Sequence, residues 1–453
     1  MKVTKIKWMV IIISGIGMLL STLDTGIINV ALPFLEGKFH ASTSLTALSV
    51  IGYTMSLAIF ILPFGYLSDR NGKLKVSFVG LTIFGLGSVL CGAANSITAL
   101  IIFRVLQGIG AAALQATSAA LITTLMDKKY IPSALGIFGI MIGLGPVLGP
   151  SIGGLLLAFN LWRLIFWINV PFAIVGLICN YMLLRQISEN KKNDPFDFLG
   201  NLINTLLVIS LLSGFSLLSN QHHLVLGIIL IVIGIIFAII FYLVEKKQKS
   251  PLINFKTLNE QPRSWLYLGQ TIVFGFASAM IFLLPPFIFE KLMGLNIGIT
   301  GLLVLGAPVG LVIFSRISGK LNDGHKNSVF SLLGLGVIAF SLLGLAFSSQ
   351  QAPAILITFF LFIYGIGGGF FQPANIAAIM QIGNNKNQSS LGALQRMVQN
   401  IAIASGTAIG STIINLLSQK MVIGIRISWI ITLFFVLIIV CLSRIFNRKE
   451  QII

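Results

Sequence analysis

Fourteen stretches of this chain are apolar over the length of about 20 residues that a helix needs to cross a bilayer. They cover 9–33, 43–68, 75–94, 98–125, 132–158, 162–184, 199–219, 224–244, 265–289, 297–318, 328–347, 352–378, 391–418 and 424–443. Charged residues make up 9% of the 453, against about 25% in soluble domains. So few charges cannot coat a water-facing surface, which excludes a soluble enzyme, a disordered chain and a disulfide scaffold. In hydrocarbon every backbone donor and acceptor needs a partner, so such spans fold as helices. The expected class is an all-α membrane protein with 14 transmembrane helices.

A net charge of +18 can signal nucleic acid. Here the cations sit in short connections between apolar runs, so no nucleic-acid partner is expected. With the N-terminus inside, 23 of the 30 Lys and Arg fall on the inner side and four (Lys38, Arg163, Lys291, Lys420) on the outer. That bias sets the orientation, with both termini inside. Arg104, Arg396 and Arg426 lie in or at the edge of spans, and Arg396 is read as snorkelling to the inner interface. Lys2, Lys5 and Lys7 ahead of an apolar run imitate a signal peptide. The run is too long and lacks a small-residue cleavage site, so it reads as an uncleaved first span. The three cysteines each lie inside an apolar run, and His222 and His223 are adjacent in a loop. No metal site is expected.

The first half of the chain is echoed in the second. Gly65-Tyr-Leu-Ser-Asp69 returns as Gly319-Lys-Leu-Asn-Asp323, and Gly108, Gly110 and Gln115 return as Gly365, Gly367 and Gln372. Pro33-Phe34 returns as Pro286-Phe287, and all these offsets lie between 253 and 257 residues. Spans 1–6 therefore map onto spans 9–14, with spans 7 and 8 as an inserted hairpin. The expected organisation is a six-helix bundle over 1–185, a linker with two extra helices over 186–250, and a second six-helix bundle over 251–453. Both copies start on the inside, the arrangement in which a transporter holds its substrate at mid-membrane between the repeats.

Of the 12 acidic residues, only Asp24 lies deep in an apolar run; the others fall in loops or at span ends. A carboxylate at that depth costs at least about 2.5–3.5 kcal/mol, so it persists when paired or functional. Arg104 in span 4 is the matching cation; at a rise of about 1.5 Å per residue the two depths differ by about 5 Å. The pair reads as a proton site, balanced between burial, which favours the neutral acid, and the guanidinium, which favours the anion. The bland alternative is a closed ion pair that only fixes packing. Ala277 and Leu361 occupy the repeat-related positions, and a pair needed only for packing would be expected in both copies. Arg104, Gly108, Ala111 and Gln115 share one helix face. Gln115, Gln372 and Asn375 are candidate substrate-binding residues, with Tyr53, Trp167, Gln270, Phe274 and Phe371 as weaker candidates.

Span 5 carries a glycine pattern: Gly136, Gly145, Gly149-Pro150 and Gly153-Gly154. Small residues permit close backbone approach, and Pro146 and Pro150 bend the helix. The expectation is a tight but slidable contact between the two halves. The inner loop offers Gly65, Asp69, Arg70, Gly72 and Lys73. Asp69 can face the N-terminal dipole of a neighbouring helix and Arg70 can pair with an acid, forming a gate latch that Asp323 echoes.

These residues resemble the fourteen-helix drug:proton antiporter family of the major facilitator superfamily. Its inner-loop motif matches Gly65, Asp69, Arg70, Gly72 and Lys73; its span-4 motif matches Arg104, Gln107, Gly108 and Gly110. Its antiporter motif matches Gly136, Gly145, Gly149, Pro150, Gly153 and Gly154, and its span-1 motif matches Leu23-Asp24-Thr25, Asn29, Ala31, Leu32 and Pro33. The resemblance implies a major facilitator fold of two six-helix bundles plus an inserted two-helix hairpin. It also implies export of amphiphilic drugs against protons, with Asp24 as proton carrier, by a monomer in the bacterial cytoplasmic membrane. Protons are the coupling ion and no cofactor is expected. The chain lacks a phosphate-binding Gly-Lys-Ser/Thr loop, which argues against an ATP pump. Spans 9–14 carry no carboxylate in their apolar cores, which favours zwitterionic, neutral or monocationic substrates over dications. An exporter of an endogenous metabolite or siderophore would share every motif. A membrane enzyme would need a catalytic cluster, and none is found.

Overall fold

The apolar stretches fold as helices that overrun them at many ends. The structure, a computed structural model, describes residues 2–189, 195–218, 223–348, 352–383 and 387–450. His222 lies outside the described residues, as do the side chains of Lys2, Lys5, Asn29, Pro33, Pro146 and Pro150. The helices are α1 (Lys2–Phe39), α2 (Thr43–Asn71), α3 (Lys73–Ala93), α4 (Ile97–Leu125), α5 (Ile131–Ala158), α6 (Leu164–Leu184) and α7 (Phe198–Leu218). They continue as α8 (Leu224–Glu245), α9 (Arg263–Leu292), α10 (Gly298–Leu321), α11 (Asn327–Phe347), α12 (Ala354–Ile382), α13 (Gln388–Leu416) and α14 (Met421–Glu450). Among the described residues 13 helices are long and apolar enough to cross a membrane. The fifth expected span is also helical, as the 28-residue α5. No strand occurs among the described residues.

Local chemistry explains the breaks. Ser42 and Ser96 cap α2 and α4, their hydroxyls accepting from the Leu45 and Ala99 N–H groups. Gly72, at φ +110°, makes the one-residue turn from α2 into α3. Pro285 and Pro286 have no N–H to give, and directly after them α9 widens into a π-turn over Phe287–Leu292. The connection between α8 and α9 holds a short helix, Phe255–Glu260, capped by Asn254, which hydropathy alone did not reveal.

The chain divides into two compact units. The first comprises Met1–Asn201, Gln248–Ile253 and Gly383–Arg396; the second comprises Leu202–Lys247, Asn254–Ile382 and Met397–Ile453. In the first, α1 packs on α5, α4 and α6, and α4 also packs on α2 and α3. Leu23, Ile27, Ala31, Trp162 and Phe166 are part of one of its apolar clusters. In the second, α12 lies between α10 and α11, and α14 packs on α9 and α11. Phe274, Phe289, Leu342 and Trp429 lie in its core. Arg396 does not snorkel: it is buried, and its guanidinium stands 5.6 Å from the centre of the Phe138 ring. The aromatic face takes the cation in, so no route to the interface is needed.

Glycine sets the closest helix approaches. A Cβ on Gly334 of α11 would lie 2.6 Å from the Gly367 carbonyl oxygen and the Phe371 nitrogen of α12. A Cβ on Gly336, two residues on, would meet nothing within 4 Å. Gly334→Ala should therefore lower the melting temperature of the detergent-solubilised protein. Gly336→Ala should leave it unchanged or raise it, since Ala favours a helix by about 1 kcal/mol over Gly. Thermal unfolding of both variants checks the contrast.

Candidate functional site

Asp24 and Arg104 meet in the interior of the first unit. They are 2% and 0% exposed, and Arg104 Nη1 donates to Asp24 Oδ2. The other carboxylate oxygen accepts from Gln107 Nε2 at 2.9 Å and from Asn169 Nδ2 at 3.2 Å. Gln107 lies one helical turn after Arg104. Its Oε1 accepts from Arg104 Nη1 at 2.7 Å, and its Nε2 also donates to Ser88 Oγ at 2.9 Å. Arg104 Nε donates to the Ser49 carbonyl at 3.3 Å, and the guanidinium lies 4.2 Å from the centre of the Tyr53 ring. The Tyr53 hydroxyl donates to the Ser21 carbonyl, and Gln115 Nε2 donates to Ser21 Oγ at 3.3 Å. Helices α1, α2, α3, α4 and α6 all contribute to one network. Arg104 Nη2 and Asn169 Oδ1 are buried with no partner in it, which leaves acceptor and donor capacity for water.

This carboxylate accepts hydrogen bonds from three N–H donors. Taking up a proton would release the guanidinium from it. Tyr53, ranked from sequence as a weak cavity residue, is instead the aromatic plate beneath the cation. Gln107 and Asn169 were not ranked as members of the site. The i, i+3 spacing from Arg104 could have found Gln107; a lone Asn in an apolar span was the signal for Asn169.

The glycines of α5 pack somewhere other than expected. A Cβ on Gly145 would lie 2.7 Å from the Leu23 nitrogen, and one on Gly149 would lie 2.7 Å from Gly26 Cα. Gly153 would bring its Cβ within 3.3 Å of the Ile27 carbonyl, whereas Gly154 faces open space. This face lies on the stretch of α1 that carries Asp24, inside the first unit. The reason is mutual smallness, since Gly26 of α1 meets Gly149 of α5 backbone to backbone.

At the inner loop, Asp69 accepts from the N–H groups of Ser389 and Ser390 at 3.0 and 2.8 Å and from Ser390 Oγ at 2.9 Å. It thus stands at the N-terminus of α13, whose first turns belong to this unit, and Lys73 pairs with it at 3.1 Å. Gly65 admits α13 closely: a Cβ there would lie 3.0 Å from the Ser389 carbonyl. Arg70 Nε is buried without a hydrogen-bond partner among the described residues. Gly72 is closed in by Glu189, whose carboxylate accepts from Leu74 N–H at 3.0 Å and so caps α3. Asp323 does not repeat the role of Asp69. It is half exposed, pairs with its neighbour Lys326 at 3.7 Å, and caps no other helix. The His325 N–H and Lys326 hold its carboxyl below the usual range.

The remaining candidates gather in the second unit. Gln270 accepts from Ser331 Oγ at 2.6 Å and donates to Ser443 Oγ at 3.0 Å. Asn375 accepts from Thr271 Oγ1 and donates to the Tyr267 carbonyl. Phe274 and Phe371 pack with ring centres 4.7 Å apart. Gln372 is buried, and its Oε1 has no partner among the described residues. Trp167 joins neither group. It is 38% exposed and donates to the Val89 carbonyl beside Gly92. The repeat-related positions of the ion pair, Ala277 and Leu361, lie in the apolar core. Sequence also missed two buried acids, Asp197 just before α7, 7% exposed, and Glu245 at the end of α8, 1% exposed. The edge of an apolar run had read as interface.

Removing one member of a buried ion pair costs about 3–5 kcal/mol, because the other is left uncompensated. Arg104→Gln should therefore lose about that much stability, and Asp24→Asn combined with Arg104→Gln should lose less than Arg104→Gln alone. Denaturation of the purified variants in detergent reads the difference.

Comparison with known proteins gives the family and the fold. The family model described as Major Facilitator Superfamily matches residues 15–407. The chain is 30% identical over 417 residues to the riboflavin transporter RibZ of Clostridioides difficile, covering 90% of this chain and 88% of that one. It is 29% identical over 375 residues to the multidrug transporter protein MdtP of Bacillus subtilis, covering 81% and 68%. The crystal structure of the human organic anion transporter MFSD10 superposes with a TM-score of 0.66 at 13% identity, covering 95% of this chain and 99% of that one.

Proposed function

The chain belongs to the Major Facilitator Superfamily, and on that premise we propose that it is a proton-coupled antiporter that exports amphiphilic drugs. The chain is a multi-pass membrane transporter of small molecules and not an enzyme. The observation that carries the rest is the buried Asp24–Arg104 pair, present in one repeat and replaced by Ala277 and Leu361 in the other. A structural pair has no reason to be dropped from one of two copies of the same fold. A coupling site needs only one.

In this reading Asp24 is the proton carrier and Arg104 its counter-ion. Drug enters from the inner side while Asp24 is ionised. The bundles then rock, a proton from outside neutralises Asp24, and drug leaves. The return of the protonated form releases the proton inside. Asp69 on the N-terminus of α13 is the inner latch, broken and remade in each cycle. Gln115, Gln270, Phe274, Phe371, Gln372 and Asn375 are the candidates for drug contact. The protein works as a monomer in a bacterial cytoplasmic membrane, with both termini inside, protons as coupling ion and no cofactor. One proton at roughly 150 mV supplies about 3.5 kcal/mol, a concentration ratio of a few hundred. The absence of carboxylates from the apolar cores of α9 to α14 favours neutral, zwitterionic or monocationic substrates.

Similarity to RibZ supports a second reading, export of an endogenous metabolite by the same machinery. Proteoliposomes separate the two. Ethidium or norfloxacin, added under a pH gradient, should move protons in the wild type but not in Asp24→Asn. Equal coupled flux in both would make Asp24 structural. Proton movement with riboflavin and with neither drug would favour the metabolite. In the same assay Asp69→Asn should lower transport at least about fivefold, because a charge-assisted helix cap is lost. Asp323→Asn should transport as the wild type does.

A further inference from the structure

Glu189 follows α6 and lies in none of the sequence motifs, yet its carboxylate sits on the N-terminus of α3. Oε1 accepts from the Leu74 N–H at 3.0 Å, and Oε2 accepts from the Leu74 and Lys75 N–H groups at 3.2 and 3.4 Å. N–H groups in the first turn of a helix have no partner within it, and the dipole favours an anion there. The seat is shaped for the acid. A Cβ on Gly72 would run into the same carboxylate, so the motif glycine serves both the turn at φ +110° and Glu189.

What this cap holds is the base of Asp69. Lys73, the first residue of α3, pairs with Asp69 at 3.1 Å. Asp69 in turn accepts from the Ser389 and Ser390 N–H groups at the start of α13. The α2–α3 turn is thus gripped on both sides: a carboxylate that it carries sits on one helix N-terminus, and a carboxylate from outside sits on the other. Glu189 itself is tied down. The N–H groups of Arg185, Gln186 and Ile187 bond back to carbonyls of α6, and only Ser188 separates that turn from the acid. α6 also carries Asn169, whose amide donates to Asp24. All of these residues belong to the first unit.

On the reading that Asp69 is the inner latch, we propose that Glu189 is its positioning residue. The cap fixes Lys73 and the Gly72 turn, so that Asp69 meets the N-terminus of α13 in register. The helix that bonds Asp24 thereby also sets the latch. Among the described residues Glu189 makes no hydrogen bond to α13. An effect of its removal on that helix has to pass through the α2–α3 turn.

Hydrogen exchange of the purified full chain, read by mass spectrometry in peptides over the first turn of α13, tests this without transport. Glu189→Ala should speed exchange at Ser389 and Ser390 about fivefold. Glu189→Gln keeps the shape, loses only the charge and should speed it about twofold. Asp69→Asn should speed it at least as much as Glu189→Ala does. The double variant should add less than about twofold to Asp69→Asn, because both act on one contact. Faster exchange at Leu74 and Lys75 alone, with Ser389 and Ser390 as in the wild type, would make Glu189 a local cap and overturn the proposal. A rise spread equally over α11 would mean lost stability and overturn it too, as would independent, multiplying effects in the double variant. The latch reading fails separately: if Asp69→Asn transports as the wild type does, Asp69 is no latch, while exchange at Ser389 still reports whether Glu189 positions it.

Discussion

A carboxylate inside hydrocarbon has to be matched, and the match made at Asp24 organises the first unit. Arg104, Gln107 and Asn169 supply its donors, Ser49 and Ser88 hold those donors in turn, and Tyr53 lies beneath the guanidinium. Five helices are tied by polar contacts in the buried interior of the unit. Satisfied networks of this kind are rigid, and partly broken ones are costly. A change of charge at one atom is therefore felt by every helix that contributes to the network.

The glycine face of α5 belongs to the same arrangement. Gly145, Gly149 and Gly153 bring α5 onto Thr22 to Ile27, so the backbone on either side of Asp24 rests against another backbone. At Gly149 the contact is backbone to backbone, while the Thr22 and Ile27 side chains reach Gly145 and Gly153. The position of the carboxylate relative to its donors is then set by how α1 seats on α5. This gives a physical reason for the glycine spacing of α5, a helix whose described residues supply no ligand to the ion pair.

The spans were legible because about 20 apolar residues in a row admit few other folds. The Asp24–Arg104 pairing was legible because two isolated charges at similar depth have little choice of partner. The inner-loop carboxylate was legible as a helix-dipole ligand, but its partners Ser389 and Ser390 lie some 320 residues away and carry no local signal. Sequence could not see the direction in which a glycine face points, so α5 was expected against the other half and not against α1. Nor could it see that Arg396 has an aromatic ring to lie on, that Glu245 is enclosed, or that Asp323 stays in the open despite its echo of Asp69. For α5 and Arg396, neighbours remote in the chain and not the residue's own surroundings in sequence decided the outcome.

The two repeats have diverged in kind as well as in sequence. Where the first holds a charged network, the second holds Ala277 and Leu361 in an apolar core, and Gln270, Asn375 and Gln372 belong to no ionic contact among the described residues. Asn375 donates to Gln270 Oε1 at 3.4 Å and Phe274 lies against Phe371, so these groups are coupled to one another but to no charge. A substitution among them repacks neutral neighbours and strands no buried charge. The first copy has no such freedom. The second unit can therefore drift further in sequence than the first, where one altered side chain would leave a buried charge uncompensated.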